Sequence, residues 1–311
     1  MKQNLSACLF YNHDNDDCFQ YAKCIAFRLE REAYTPYDEI TATFIANNEL
    51  TETISRIGIF LDSTCIFLGL VDNIQVYHKN STRFLKIHSK SFTSLLTQNE
   101  LSSGLHSNLT IQKLIQDYYD FKYITYDNLS ETGYIFVKPG NTMWDGVVSF
   151  AYKITGRYPY VKQNHICLFQ LQDFFSTEFT KNQVLEYGST QDYSKLISHY
   201  HMSDILDNAN AYQQENAIAI SAEITRHKQI DFDNSFRHAP EMALTFRNLY
   251  SRRGCQAKYL VYDGFGNEQI GDKISFQDFL QNQTICRIRT TFGTQGFRTK
   301  LWCYQDGFYN Y

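Results

Sequence analysis

Apolar residues recur at helical spacing in the middle of the chain and predict one well-bounded helix. They are Met143, Trp144, Val147, Val148, Ala151 and Tyr152. Thr142 precedes this stripe as a capping residue, and Asp145 stands at the third helical position, where a carboxylate favours the positive helix end. Gly156 supplies a left-handed stop. The segment 139–161 therefore predicts a turn, a capped helix and a short strand, and none of its residues is reactive.

Alternating positions and short apolar runs predict strands over the first part of the chain. Turn residues such as Asp62-Ser63 separate these runs. Short strands with tight turns and no long helix favour a small antiparallel barrel or sandwich. The predicted strands cover residues 40–44, 57–61, 65–71, 73–77 and 83–89.

The spacing of apolar residues changes at Ser91 and predicts two further helical segments before a strand at 134–137. Residues 91–168 therefore form a predicted α+β unit. The stretch that follows is polar, and we interpret it as a connector with possible strands at 184–187 and 196–199 and a long loop over 204–223. The two helical stripes are Phe92, Leu95 and Leu96, then Ile111, Leu114, Ile115, Tyr118 and Tyr119.

A second β-rich region ends the chain. Pro240 fits the first position of a helix that Gly254 ends. Its stripe is Met242, Ala243, Phe246, Leu249 and Tyr250, and the predicted strands after it cover residues 258–262, 273–276, 285–291 and 296–304. The turn and strand at 271–275 echo those at 37–41, which is consistent with one small β-barrel at each end of the chain.

The predicted fold class is thus α+β, mainly β, with two small antiparallel, tube-like β-barrel domains flanking an α+β insert. The predicted boundaries give an N-terminal barrel at 1–90, a middle domain at 91–168 and a connector at 169–231. A C-terminal helix with the second barrel occupies 232–311.

The composition of the chain indicates a large contact surface in addition to the β-rich core. Aromatic residues make up 16% of the chain, with 23 Tyr and 24 Phe, which favours a β-rich core together with a large interface. The net charge of −4 gives no electrostatic case for nucleic-acid binding. Apolar runs are too short for stable membrane insertion. Eight Cys without framework spacing suit buried thiols in a reducing compartment.

Two segments resemble metal sites, but each lacks residues that the corresponding metal-binding motif requires. The acidic segment 13–17 resembles the start of a calcium loop, but Cys18 and Phe19 occupy positions that need a ligand and a glycine, and Ile25 replaces the closing carboxylate. His199 and His201 share a strand face near Asp204, yet no established zinc pattern accompanies them.

The remaining candidates also lack a catalytic pattern. The segment 264–267 has no third glycine and leads into a strand, so we interpret it as a hairpin turn rather than a dinucleotide loop. Four basic residues on the last hairpin predict a solvated strand face, with an interface or channel lining as the alternative. They are Arg287, Arg289, Arg298 and Lys300. We therefore predict no enzyme, no catalytic or metal residues and no cofactor.

The order of the elements resembles that of the central baseplate hub proteins of contractile phage tails and phage tail-like particles, the late control protein D-like family. Four stretches carry the resemblance: 64–96, 109–123, 139–161 and 238–276. The turn Gly271-Asp272 is the most specific match. Asn141 departs from the family, which usually has Glu there, and residues 170–230 match poorly.

The resemblance implies a structural homotrimer in the baseplate, assembled in the bacterial cytoplasm. Each chain would supply two barrels, so three chains adapt the sixfold tail tube to the threefold spike. Its partners would be tube, spike and other baseplate proteins, without sequence-specific nucleic-acid binding. The particle is left open among a phage, a bacteriocin (tailocin) and a toxin-injection system. The alternative functions are a cell-envelope-degrading tail enzyme and a carbohydrate-binding β-module that uses exposed Tyr and Trp.

Overall fold

Strands form most of the regular structure. A computed structural model describes residues 5–11, 19–21 (backbone only), 23–46, 53–116, 121–168, 175–206, 208–232 and 240–305. The first half contains strands β1 (Leu5–Phe10), β2 (Phe19–Tyr21), β3 (Lys23–Glu32), β4 (Glu39–Ile45), β5 (Arg56–Leu61), β6 (Thr64–Lys79), β7 (Thr82–Ser91), β8 (Gly104–Leu109), β9 (Thr125–Tyr126) and β10 (Gly133–Val137). Its helices are a 3-10 turn (Phe92–Ser94), α1 (Leu95–Gln98), α2 (Ile111–Gln116) and α3 (Met143–Thr155).

The second half continues in the same style. Its strands are β11 (Tyr160–Lys162), β12 (His165–Cys167), β13 (Ser176–Glu178), β14 (Val184–Gln191), β15 (His199–Met202), β16 (Tyr212–Glu215), β17 (His227–Ile230), β18 (Gln256–Asp263), β19 (Lys273–Phe276), β20 (Leu280–Thr284), β21 (Arg287–Gly293) and β22 (Gly296–Tyr304). The helices are α4 (Ala217–Ser221) and α5 (Pro240–Arg252). The prediction of a mainly β, α+β protein is confirmed.

One 11-stranded sheet joins the two ends of the chain. Its order is β14-β18-β22-β21-β3-β4-β7-β6-β5-β1-β2, and β3 pairs antiparallel with both β4 and β21. The N-terminal and C-terminal β units therefore share a continuous sheet. None of the sheets formed by the described residues is closed, so the two separate barrels and the four domain boundaries stay predictions.

The connector is more ordered than the sequence predicts. Strands β16, β15 and β17 form a small sheet, so the predicted loop over 204–223 is wrong. Within that span the Asn216 side chain accepts hydrogen bonds from the Ile218 and Ala219 amides and begins α4. The strand predicted at 196–199 instead begins at His199. The polar, exposed face of β16 hides its periodicity from a sequence-based prediction.

The two predicted long helices are confirmed, together with their boundaries. Thr142 and Asp145 form a capping box: the Asp145 amide donates to Thr142 Oγ1 at 3.2 Å, and the Thr142 amide donates to Asp145 Oδ2 at 2.8 Å. Gly156 ends α3 with φ 72°. Gly254 follows α5 with φ 69°. Local capping hydrogen bonds thus fix α3, and a left-handed glycine follows each helix.

Helix α3 lies in a core that reaches beyond the middle unit. The larger hydrophobic cluster contains α3, part of the connector, α5 and the last strands, whereas a second cluster lies within the N-terminal β unit. The rings of Tyr152 and Phe246 lie 5.4 Å apart, and those of Tyr158 and Phe246 lie 5.9 Å apart. These aromatic contacts join α3 and its following strand to α5.

The echo between the two turn-and-strand segments extends to side-chain burial. Asp38 precedes β4 and is buried against Arg31, whose Nε lies 3.1 Å from Asp38 Oδ2. Asp272 precedes β19, is also buried, and accepts from the Gln269 amide at 2.8 Å. In both places a buried carboxylate satisfies donors where a strand begins.

Gly69 in β6 gives a test of this sheet packing. A Cβ at residue 69 would lie 2.2 Å from the Lys90 carbonyl oxygen and 2.7 Å from Phe67 Cζ. Because backbone cannot move aside cheaply, Gly69→Ala should lower the free energy of unfolding by about 3 kcal/mol in a urea titration. Gly293→Ala is the control, since nothing lies within 4 Å of its Cβ position. Equal stabilities of the two variants would contradict the packing described for β6 and β7.

Candidate functional site

The edge strand β14 presents an exposed apolar surface. Its partner within the described ranges is β18, and its other side forms one edge of the 11-stranded sheet. Leu185 and Tyr187 are each 53% exposed. The Tyr187 ring also packs at 5.1 Å against Phe276 and Phe279, which fixes its position. A long edge with exposed apolar side chains is a template for strand pairing with another chain.

Glu30 stands at the junction of the two β units. Its carboxylate accepts from Arg287 Nη2 at 2.7 Å and Arg289 Nε at 3.0 Å across the β3–β21 pair, and it also contacts Arg28. Burial alone would raise the pKa of Glu30, but the hydrogen bonds from Arg287, Arg289 and Arg28 outweigh it and lower the pKa to about 2. The junction is therefore held by charge as well as by backbone pairing.

The other two basic residues of the last hairpin, for which a solvated strand face was predicted, also have partners in this chain. Arg298 Nε lies 3.3 Å from Asp263 Oδ1, and Lys300 Nζ lies 3.4 Å from the centre of the Tyr259 ring. All four cations of the last hairpin therefore have a partner within this chain. The solvated strand face and the alternative role in an interface or channel both stay predictions.

Three histidines form a stack on the connector sheet. His199 and His201 share a face of β15, as predicted, and His227 joins them from the parallel strand β17. His227 lies 4.4 Å from His199 and 5.2 Å from His201, ring centre to ring centre, with planes within 4° of parallel. Asp204 is not brought to this stack, because it caps the turn before Asn208. His201 Nε2 lies 2.9 Å from His227 Nδ1, but among the described residues the three histidines do not bring one ring nitrogen each within 4.8 Å of the others, so they do not form a three-ligand metal position.

A cleft of about 600 Å³ lies between α3, α5 and the turn after β3. Trp144, Tyr158, Phe246 and Tyr250 line it, and Trp144 Nε1 donates to the Tyr158 hydroxyl at 3.4 Å. The two Trp of the chain, Trp144 and Trp302, are only 6% and 8% exposed. Neither Trp is therefore presented as the exposed sugar-stacking platform that a carbohydrate-binding module needs.

Sequence-based reasoning missed a cluster of Asp127, His165 and Cys167. Their potential ligand atoms all lie within 4.8 Å of one another. Burial and the Asp127 charge raise the pKa of the Cys167 thiol to about 11, so the thiol is protonated near neutral pH and poorly suited to nucleophilic catalysis. The spacing of His165 and Cys167 on one strand was a visible signal, but Asp127 joins them only through the fold.

The remaining sequence candidates add no site. The acidic segment 13–17 lies outside the described residues. The interpretation of 264–267 as a hairpin turn is wrong, because β18 and β19 belong to different sheets; the segment still leads into a strand, as predicted. None of the seven described cysteines forms a disulfide bond. No helix within the described ranges has the length and apolar character needed to span a membrane.

Comparison with known proteins finds similarity at the level of structure. No family model matches the sequence, and no curated protein matches it either. A tail protein from Neisseria meningitidis superposes with a TM-score of 0.72 at 11% identity, covering 98% of this chain and 97% of that one. A 43 kDa tail protein of prophage MuSo2 from Shewanella oneidensis gives 0.71 at 11% identity, with 97% and 98% covered. The chain has the fold of a phage tail protein.

The tail-protein fold extends to a secretion component. An Escherichia coli protein of the type VI secretion system, described as structurally similar to the T4 tail proteins gp27 and gp5, matches with a TM-score of 0.54 at 8% identity. The match covers 100% of this chain and 79% of that one. The resemblance to baseplate hub-like proteins predicted from the sequence is therefore confirmed at the level of the fold.

The Glu30 junction predicts a defined pH dependence of stability. Because the folded pKa of Glu30 lies below its ordinary value of 4.5, the contribution is present above pH 4.5 and is lost as the pH falls through about 2. Glu30→Gln should lower the free energy of unfolding at pH 7 by about 1 kcal/mol, since solvent screens a half-buried pair.

Urea titrations at several pH values measure this difference. The difference in free energy of unfolding between wild type and Glu30→Gln should narrow as the pH is lowered from 4.5 towards 2. Glu178→Gln, at an exposed position on β13, is the control and should show no comparable gap. A gap for Glu30→Gln that stays constant down to pH 2 would contradict the charge-assisted junction.

Proposed function

We propose that this protein is the structural hub of a contractile-tail baseplate. The observation that best supports this proposal is the structural match of the chain to two tail proteins, with TM-scores of 0.72 and 0.71. Each match covers nearly the whole length of both superposed chains. The likeness covers both β units and the α+β insert between them. The hub would nucleate the tail tube and hold the central spike.

In this proposal three copies form a ring around the tail axis. Each copy contributes two tube-like β units, so a homotrimer presents six and adapts a sixfold tube to a threefold spike. The buried turn carboxylates Asp38 and Asp272, each placed before a strand, support an equivalence of the two units. The pairing of β3 with β21 supports the proposed ring as well, because this pairing holds both β units of a protomer in one sheet.

The exposed apolar side chains supply contact surfaces for this assembly. Stable, obligate interfaces are larger and more apolar than transient ones. Within the described residues of one protomer the exposed set covers the β14 edge, the β8–β10 strand pair, single positions on β6 and α4, and loop positions. Its members are Val76, Leu105, Tyr134, Phe136, Phe175, Leu185, Tyr187, Ile205, Leu206 and Ile220. We assign these surfaces to neighbouring protomers and to tube, spike and other baseplate proteins.

The proposed role is mechanical and non-enzymatic. The similar proteins of known structure are described as tail proteins and as a secretion-system component. The hub would reside in a virion or tail-like particle, assembled in the bacterial cytoplasm. DNA or other contents would pass the central bore without sequence-specific binding.

The oligomeric state tests the proposal directly. Native mass spectrometry of the purified 311-residue chain should give a species of three times 36.4 kDa. Dilution should shift any trimer towards monomer by mass action. A species that stays monomeric at the highest accessible concentration and on addition of its tube and spike partners would contradict the hub role.

Leu185 at the sheet edge gives a matched test of where protomers meet. Leu185→Asp places a charge on the proposed pairing edge and should convert trimer to monomer. Because Leu185 is exposed in one protomer, the midpoint of thermal unfolding of the monomer should hardly change. Ser130→Asp is the control: Ser130 is exposed in a loop outside these apolar surfaces, and its change should leave the trimer intact. Trimer formation by Leu185→Asp would exclude the β14 edge as the contact.

A further inference from the structure

The cluster of Asp127, His165 and Cys167 is built by strand pairing. His165 and Cys167 stand two residues apart on β12 and so share one face of the strand. Strand β9 runs parallel to β12, with Thr125 opposite His165, and the Asp127 amide donates to the Ile166 carbonyl at 3.0 Å. Backbone hydrogen bonds therefore bring the Asp127 carboxylate beside the two β12 side chains.

The three side chains offer one oxygen, one nitrogen and one sulfur donor at a single point. These atoms lie within 4.8 Å of one another. A tetrahedral zinc keeps its ligand atoms about 3.5 Å apart, so small side-chain shifts would bring all three to bonding distance. Cys167 is 4% exposed and forms the floor, whereas the His165 side chain is 37% exposed and leaves a path to solvent.

Each ligand is already held by a second group. His165 Nδ1 lies 2.8 Å from Thr125 Oγ1, which leaves Nε2 directed towards Asp127 Oδ1 at 2.9 Å. The Leu168 amide donates to Asp127 Oδ2 at 2.7 Å and leaves Oδ1 facing the cluster. The Tyr160 side chain is hydrogen-bonded to the Cys167 thiol. Outer hydrogen bonds of this kind orient metal ligands and fix the histidine tautomer.

We propose that Asp127, His165 and Cys167 bind a zinc ion. The mixed donor set decides the class of metal: thiolate and imidazole suit zinc, whereas calcium and magnesium require oxygen donors. Three protein ligands leave a fourth position for water. The stack of His199, His201 and His227 differs in this respect: His201 and His227 have close ring nitrogens, but within the described ranges the three residues do not gather three ligand atoms within 4.8 Å.

Zinc binding here requires one net proton release. The Cys167 thiol loses its proton when sulfur bonds to the metal. The imidazole stays neutral and takes the tautomer with its proton on Nδ1, from where the N–H donates a hydrogen bond to Thr125 Oγ1, and the deprotonated Nε2 bonds to zinc. No oxidant or reductant takes part.

The position of the site gives the ion a structural effect. The turn between β11 and β12 contacts the N-terminal unit, because the side-chain Nδ2 of Asn164 donates to the Leu68 backbone carbonyl at 3.1 Å. The Thr125 amide donates to the Asn164 carbonyl at 3.1 Å. Zinc would therefore fasten β9 to β12 next to the contact between the middle and N-terminal units, and stabilise the folded chain.

Cobalt(II) is the optical probe for this site in the 311-residue protein. After treatment with a chelator and dialysis, wild type should bind one equivalent of Co²⁺ and show a thiolate-to-cobalt charge-transfer band that Zn²⁺ abolishes. Cys167→Ser should remove the band. Thr125→Val, which touches no metal, should weaken binding about 10-fold or more by releasing the imidazole. Cys65→Ser and His201→Gln are controls and should keep the band.

X-ray absorption of the zinc-loaded wild type tests the same proposal without a substitution, which covers the case in which Cys167→Ser fails to fold. It should show one sulfur at about 2.3 Å and nitrogen or oxygen ligands at about 2.0 Å. A thermal unfolding midpoint raised by Zn²⁺ in wild type and in Cys65→Ser would support the site. A zinc shell without sulfur, no one-to-one Co²⁺ complex, or a band retained in Cys167→Ser would overturn it.

Discussion

The pairing of β3 with β21 is the constraint on which the rest of the structure depends. It joins residues 257 positions apart, as the contact of Glu30 with Arg287 shows. Without it the N-terminal and C-terminal β units would be separate sheets, each with one more open edge. Because closing so long a loop costs chain entropy before any contact compensates it, the pairing needs support from both backbone and side chains. Glu30 and its arginine partners add that support.

The segment between the two ends is held by aromatic packing instead. Helix α3 contributes Tyr152, the following chain contributes Tyr158, and both meet Phe246 of α5. These rings belong to the same core as the last strands of the chain. The middle unit is thus fastened to the C-terminal unit through a shared hydrophobic core, and to the N-terminal unit through polar contacts such as that of Asn164 with Leu68.

Elements that depend on neighbouring residues were predictable from the sequence. The capping box at Thr142 and the glycine after α3 mark that helix, and β22 occupies the predicted residues 296–304. Elements that depend on distant residues were not predictable. Strand β3 is not among the predicted strands, its pairing with β21 leaves no local signal, and the polar strand β16 has no apolar alternation to detect. The same division holds for side-chain clusters: His199 and His201 share a face by their spacing, whereas His227 and Asp127 join their clusters through tertiary pairing.

A hub must place two similar β units of one chain around a common axis, and the continuous sheet through β3 and β21 is what would set the angle between them. Cryo-electron microscopy of assembled particles, averaged along the tail axis, measures this most directly. We predict three copies of the chain, with the β units at residues 1–90 and 232–311 alternating at steps of about 60° around the bore. Six copies per particle, or β units that do not alternate around the axis, would contradict the account.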